Sequence, residues 1–345
     1  MKKKIIMLLL TVFMFVPYTK VNALELTQEM FDTAKNAGTD VKVGNITYKG
    51  YDSYYLDADD YTIGDDITVH IITFNGGKST LNINNKNING IIITEGAKLT
   101  IEGDGFIGAL GVYSGDYDGL IGSDVLIKGG TFIDIDVTDS KLVIENVNVE
   151  GEYHGITANS GADIEINGGT VNVGPEGKAL EVGSHYSEHA KVTVNGGTFS
   201  GGEYGLYVLR ESYDQLSLLG GTFKGSIAAI GFKSSEATSD EPLKTSIRDI
   251  LKEGYTYSPQ MTSTTQFTAG NWIAKTDQKE LSVVPKTSDD SEESVVPTTT
   301  TSYEASNTTN NPQTGDNIMF YISMLGLSLI GLTGNGIYLK KKRTN

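Results

Sequence analysis

The sequence predicts an all-β chain wound as a parallel β-helix, and three observations carry that prediction. Glycine is abundant, 41 of 345 residues, and short Val/Ile/Thr runs recur between turn residues, the composition of strands with frequent corners. A Gly-Gly-Thr turn returns four times, in Val125-Leu-Ile-Lys-Gly-Gly-Thr-Phe132, Ile164-Glu-Ile-Asn-Gly-Gly-Thr-Val171, Val192-Thr-Val-Asn-Gly-Gly-Thr-Phe199 and Leu216-Ser-Leu-Leu-Gly-Gly-Thr-Phe223. Weaker copies begin at Leu81, Leu99 and Leu142. Their central apolar residues, Ile83, Ile101, Ile127, Ile144, Ile166, Val194 and Leu218, follow at intervals of 18, 26, 17, 22, 28 and 24, a mean of 22.5. Self-similarity at that period marks a solenoid.

The residues within a copy define one coil. Val192 and Val194 alternate with Lys191 and Thr193, so one face is apolar at period two. The glycine pair turns the chain through conformations closed to other residues, and Thr-Phe starts a strand in a new direction. A further strand recurs between copies, at Gly119-Leu-Ile, Gly155-Ile-Thr-Ala, Ala179-Leu-Glu-Val, Gly205-Leu-Tyr-Val and Ala229-Ile-Gly-Phe. Three strands per coil suit a parallel β-helix over residues 67–235. A leucine-rich repeat needs a denser Leu/Asn framework, and a sandwich would not repeat its turn so faithfully. Seven or eight coils at ~4.8 Å make a rod about 35 Å long. Its open ends need caps, expected at residues 24–66 and 236–285. Thr27 is placed to N-cap a helix burying Met30, Phe31 and Ala34 and stopping at Gly38. Ile247, Ile250 and Leu251 lie at helical spacing ending at Gly254. Asn271 to Ile273 and Leu281 to Val284 read as closing strands.

The two ends read as processing signals. Lys2 to Lys4 precede an apolar run from Ile5 to Val16, and Val21-Asn22-Ala23 supplies small residues before a cut between Ala23 and Leu24. This is the layout of a secretory signal peptide, residues 1–23. Residues 286–310 are Ser, Thr, Pro and acids with little apolar content, including Thr298 to Thr301, and read as a disordered stalk. The apolar span 318–339 is long enough to cross a bilayer, and Lys340, Lys341, Lys342 and Arg343 follow as a cytoplasmic stop. Just before the span stand Asn311, Pro312, Gln313, Thr314 and Gly315. Pentapeptide, span and basic tail, residues 311–345, resemble the sorting signal of Gram-positive surface proteins, whose usual form is LPxTG. The resemblance implies that a sortase cuts between Thr314 and Gly315 and joins the Thr carbonyl to peptidoglycan, after a membrane-inserted stage. The departure at Asn311 leaves the sortase class open.

Charge narrows the partners. The chain carries 27 basic and 43 acidic residues, net -16, and no cysteine. The two cleavages would leave 19 basic against 42 acidic residues, net -23. Nucleic acid is excluded as a partner, since phosphate binding needs a basic face. Disulfides and Cys-ligated metals are excluded as well.

Residues 40–235 resemble the pectin-lyase-like right-handed β-helix group, nearest its polysaccharide-binding, wall-anchored members with NGGT repeats. Lyases of that group set a Lys or Arg base beside calcium-bound acids, and Arg210 is the one arginine among the repeats here. Its hydrolases carry paired aspartates, a histidine and an Arg-x-Lys stretch, and no such run is present, so no catalytic residue is assigned. Asp57, Asp59, Asp60, Asp65 and Asp66 read as solvated loop acids, as do Asp134, Asp136 and Asp139. Asp116 and Asp118 could contribute two of the six to eight oxygens that calcium prefers, and no other cofactor is implied. His185 and His189 lie in a loop rather than at a zinc site. Aligning the recurring strands sets Asp118, His154, Lys178 and Tyr204 in one column, beside Tyr117, Tyr153, Gly177 and Glu203. Tyr186, Tyr207 and Tyr213 lie nearby. Tyrosine rings beside carboxylates are a means of gripping sugars, so Tyr117, Asp118, Tyr153, His154, Lys178 and Tyr204 are the candidate ligand site. The expectation is a non-enzymatic, adhesin-like protein, secreted and covalently held on the cell wall, that binds a polysaccharide, a host surface glycan or another macromolecule. A surface polysaccharide lyase or hydrolase and a purely structural coat protein are the alternatives.

Overall fold

The computed structural model describes residues 23–114, 122–183, 189–209, 215–234, 246–268 and 270–287. These residues are all-β apart from one helix, α1 (Gln28–Ala37), and form a parallel β-solenoid of about seven turns. Residues 1–22 of the expected signal peptide 1–23, the expected sorting segment 311–345 and most of the expected stalk lie outside the described residues.

One sheet runs the length of the solenoid. Its nine parallel strands are Leu24–Leu26, Asp60–Ile63, Lys78–Asn82, Lys98–Glu102, Asp124–Ile127, Lys141–Ile144, Asp163–Ile166, Lys191–Val194 and Leu216–Leu218. Tyr61, Leu81, Ile101, Ile127, Ile144, Ile166, Val194 and Leu218 form one inward column, each at most 1 % exposed. Burying one such side chain is worth about 1.5–3 kcal/mol, available only through the coils above and below. The column corrects the repeat alignment at one place. Leu81 pairs with Ile101, while Ile83, also buried, sits two residues on in the turn.

The second sheet begins with Ser53–Leu56 and Ile71–Asn75, continues as the long strands Asn87–Thr94, Phe106–Val112 and Thr131–Val137, and then forks. The first half of Thr131–Val137 continues into Asn148–Gly151, Thr170–Val173, Thr198–Ser200 and Thr222–Lys224. Its second half continues into His154–Ala158, Lys178–Val182, Tyr204–Leu209 and Ala228–Ser234. The three-strand coil expected throughout therefore starts only at the fork. Phe132, Val149, Val171, Phe199 and Phe223 stack inside the first branch, the last two as parallel rings with centroids 5.1 Å apart.

The caps follow the sequence in outline. Helix α1 starts after extended Thr27, whose side chain makes no capping bond, and ends at Gly38. It buries Phe31 and Ala34, with Met30 only partly covered. Parallel pairing already includes Asp60–Ile63 and Ser53–Leu56, so residues assigned to the N-terminal cap supply the first coil. At the other end, the helix expected over 247–251 is a turn. Ile247 and Ile250 are still buried, and the Tyr257 hydroxyl donates to the Ile247 carbonyl at 2.9 Å. Asn271–Thr276 and Glu280–Pro285 close the last coil as antiparallel strands. Reversing strand direction ends the template for further parallel coils.

The glycine pairs divide their work. Gly130, Gly169, Gly197 and Gly221, second in each pair, have φ of +107°, +112°, +105° and +99°, where a side chain is strained. Gly196, first in its pair, needs no positive φ, but a Cβ there would lie 2.8 Å from the Asn167 carbonyl oxygen of the coil before it. Both Gly196→Val and Gly197→Val should therefore be severe, the first by collision and the second by backbone strain. Val194→Asp should cost several kcal/mol through an unpaired charge in a dry stack. Thr193→Asp, facing outward, should change stability by about 0.5 kcal/mol or less. Thermal melts of the four variants check this, and equal losses at 193 and 194 would contradict the register.

Candidate functional site

The branch that starts at His154–Ala158 presents the candidate site, because its outward residues come from coils about 25 residues apart in sequence. Register stacks His154, Lys178, Tyr204 and Ala228 at the start of successive strands. A second outward column is Asp136, Thr157, Glu181, Tyr207 and Gly231. Between them Gly155, Ala179, Gly205 and Ala229 face a narrow inner corner. A Cβ on Gly155 would lie 2.3 Å from Val171 Cγ1 and 2.5 Å from the Ala179 carbonyl oxygen.

Side chains of the first column lie diagonally over the second column of the next coil. His154 donates from Nδ1 to Glu181 Oε2 at 3.0 Å. Lys178 Nζ sits 5.3 Å from the centre of the Tyr207 ring and 3.8 Å from Glu203 Oε2. Tyr204 covers Gly231, where a Cβ would fall 2.5 Å from the ring, and its ring centre is 4.8 Å from that of Tyr207. At the fork itself Ile133 and Tyr153 are each 42 % exposed, so apolar surface adjoins the charged rows.

Carboxylates gather at the same end. Asp136 Oδ2 accepts from the Tyr113 hydroxyl at 3.2 Å, and its Oδ1 accepts from Asn159 Nδ2. Burial pushes the Asp136 carboxyl up to about 6; the Tyr113 bond opposes that rise, the Asp134 charge adds to it, and Asn159 and His154 oppose it. Burial also raises Asp134, with His154 pulling the other way. The Tyr113 and Tyr207 hydroxyls are both raised, first by burial and then by their acidic or phenolic neighbours.

The structure brings together His154, Lys178 and Tyr204 as the sequence expected, with Tyr153 one residue before that column. Tyr204, however, is 8 % exposed and packs against Gly231 and Tyr207, so the outward ring of that coil is Tyr207. The strand beside His154–Ala158 is Ile135–Val137, where the sequence expects one at 119–121. Tyr117, Asp118 and Asp116 lie outside the described residues, as do Tyr186, Arg210, Tyr213, His185 and the sorting residues Asn311, Pro312, Gln313, Thr314 and Gly315. At the signal junction Ala23 is exposed and Leu24 opens the first strand of the long sheet. Among the described residues no group of three or more His, Asp or Glu is placed to hold a metal ion, and no helix is long and apolar enough to cross a membrane. The sequence reading missed Asp134, Asp136 and Glu181. The first two are strand residues, not loop acids, and the alternation Phe132-Ile133-Asp134-Ile135-Asp136-Val137 carried that signal.

Comparison with protein-family models, curated protein sequences and solved structures returned no match.

The raised Asp136 gives stability a pH dependence of known sign. Its native pKa of about 6 exceeds an ordinary unfolded value of ~3.9, so the native state holds the proton more tightly. That contribution is full below pH ~4 and is lost as pH rises through ~6. Asp136→Asn keeps an acceptor for Asn159 and removes the buried charge. It should gain about 1 kcal/mol at pH 7, below the ~2.7 kcal/mol that two full units would carry because the carboxyl is partly solvated. Melts of both proteins from pH 4 to 7 measure it; a variant less stable at pH 7, with the slope unchanged, would contradict this account.

Proposed function

We propose that the chain is a surface-displayed glycan-binding protein, adhesin-like, whose solenoid presents the fork-side strip to a polysaccharide. The observation that carries the reading is the exposed pair Ile133 and Tyr153 bordering the rows of His154, Glu181, Lys178, Glu203 and Tyr207. Ring faces stack on sugar C–H patches, while carboxylates, imidazole and ammonium address hydroxyls. The signal peptide, the stalk and the NPQTG segment support secretion and sortase attachment to peptidoglycan, which would hold the strip away from the wall. A right-handed winding accords with the usual hand of parallel crossovers. Calcium through Asp116 and Asp118 is not needed for this reading.

A second reading, hydrolysis of a polysaccharide, is favoured by one feature, the gathering of Asp134 and Asp136 near His154. Release of reducing ends from a polysaccharide panel, abolished in Asp136→Asn, would select it over binding alone.

A glycan array probed with the full chain tests the binding reading. Tyr153→Ala should weaken the strongest signal about tenfold, as loss of one stacking ring does, and leave the melting temperature within about 2 °C, because the residue lies at the surface, outside the buried core. An array with no glycan above background would end the proposal. Attachment is tested separately. Thr314→Ala should abolish covalent linkage, and wall fragments boiled in detergent that still retain the variant would refute the sorting reading.

A further inference from the structure

The outward face of the long sheet carries an alternating charge ladder. Its strands open with Lys78, Lys98, Asp124, Lys141, Asp163 and Lys191, in direct register, and the charge alternates from Lys98 onward. The last outward position runs Glu102, Lys128, Glu145 and Asn167, with Lys128 Nζ 3.7 Å from Glu102 Oε2. Between these edges Leu126 and Val143 stand side by side, partly exposed. A shallow groove of about 430 Å³ runs along the lysine and aspartate edge. Opposite charges directly across neighbouring strands each support the sheet by a few tenths of a kcal/mol, and the same alternation makes the face complementary to itself.

We infer that this face docks on the same face of a second copy of the chain, about a two-fold axis parallel to the strands and lying between Asp124–Ile127 and Lys141–Ile144. Such an axis keeps strand direction and reverses coil order. Lys98 then faces Asp163 of the second copy, Asp124 faces its Lys141, and Lys128 faces its Glu145, three attractive pairs against one repulsive pair at the margin, where Lys78 faces Lys191. Leu126 meets Val143 at the centre. The register is selective. Moving the axis onto Asp124–Ile127 opposes Lys98 with Lys141 and Glu102 with Glu145, and moving it onto Lys141–Ile144 opposes Asp124 with Asp163. Both shifted arrangements set like charges along an edge, which disfavours them. In an isologous contact every favourable pair occurs twice. Six strands at ~4.8 Å by about 16 Å of strand give roughly 900 Å² buried in total, the size of a weak, reversible interface.

The chain has no cysteine, so single thiols report the contact cleanly. The full chain in non-ionic detergent, carrying Leu126→Cys, is treated with a bis-maleimide of about 10 Å span. Thr157→Cys and Asn172→Cys on the two fork branches serve as reference faces. Cross-linked dimer should form several-fold faster through residue 126 than through either reference. Adding Asp124→Lys should lower that yield about tenfold, because two attractive pairs become repulsive, and the swap Asp124→Lys/Lys141→Asp should restore it. Circular dichroism melts confirm that each variant is folded. Equal yields at all three positions, a charge swap that fails to restore cross-linking, or a chain monomeric by sedimentation up to about 1 mM would overturn the proposal, as would saturation of the face by another molecule.

Discussion

Coil-on-coil burial is the constraint from which the rest of this structure follows. No coil encloses a core of its own. Ile144 is dry only because Ile127 lies on one side and Ile166 on the other, and the same holds for the phenylalanine stack of the second sheet. Every corner must therefore bring the next coil back into register. The glycine pairs do this in two ways, one residue supplying a left-handed backbone and the other admitting the carbonyl of the coil before it. The ends of the stack have unsatisfied edges for the same reason, and helix α1 and the antiparallel strands 271–276 and 280–285 occupy them.

The fork at Thr131–Val137 gives this repetitive scaffold its candidate site. Before it the second sheet is a plain wall. After it each coil bends at a small residue, and the side chain ahead of the bend falls across the outward residue of the next coil. Three successive diagonals, His154 on Glu181, Lys178 on Tyr207 and Tyr204 on Gly231, share one geometry while their chemistry changes from hydrogen bond to cation–π to ring on backbone. The scaffold repeats and the chemistry does not. The long sheet shows the complementary case, where charge alternates with the coil period because each strand offers the same outward positions.

Two of the misreadings have one physical origin. The repeat alignment centres the first copy on Ile83 where the ladder pairs Leu81, and it sets residues 119–121 beside His154–Ala158 where the ladder has Ile135–Val137. In both, counting residues cannot tell how much of a connection is spent in a turn. The helix expected at 247–251 failed differently. Ile247, Ile250 and Leu251 recur at helical spacing, yet a single turn buries the same two isoleucines against Leu218 and Tyr257.

What the sequence by itself determined is local and periodic: strands with an apolar face, a corner at each glycine pair, a repeat near 22 residues, a helix from Gln28 and two closing strands. Each is written in neighbouring residues, because side-chain alternation and positive φ depend on a few bonds. The tertiary structure decided what lies beside what. Asp136 with Tyr113 and Asn159, His154 with Glu181, and the burial of Tyr204 under its own neighbours all join residues from different coils, and coil lengths vary. Period two says which way a side chain points, but only the hydrogen-bonded ladder between coils says which side chain it meets.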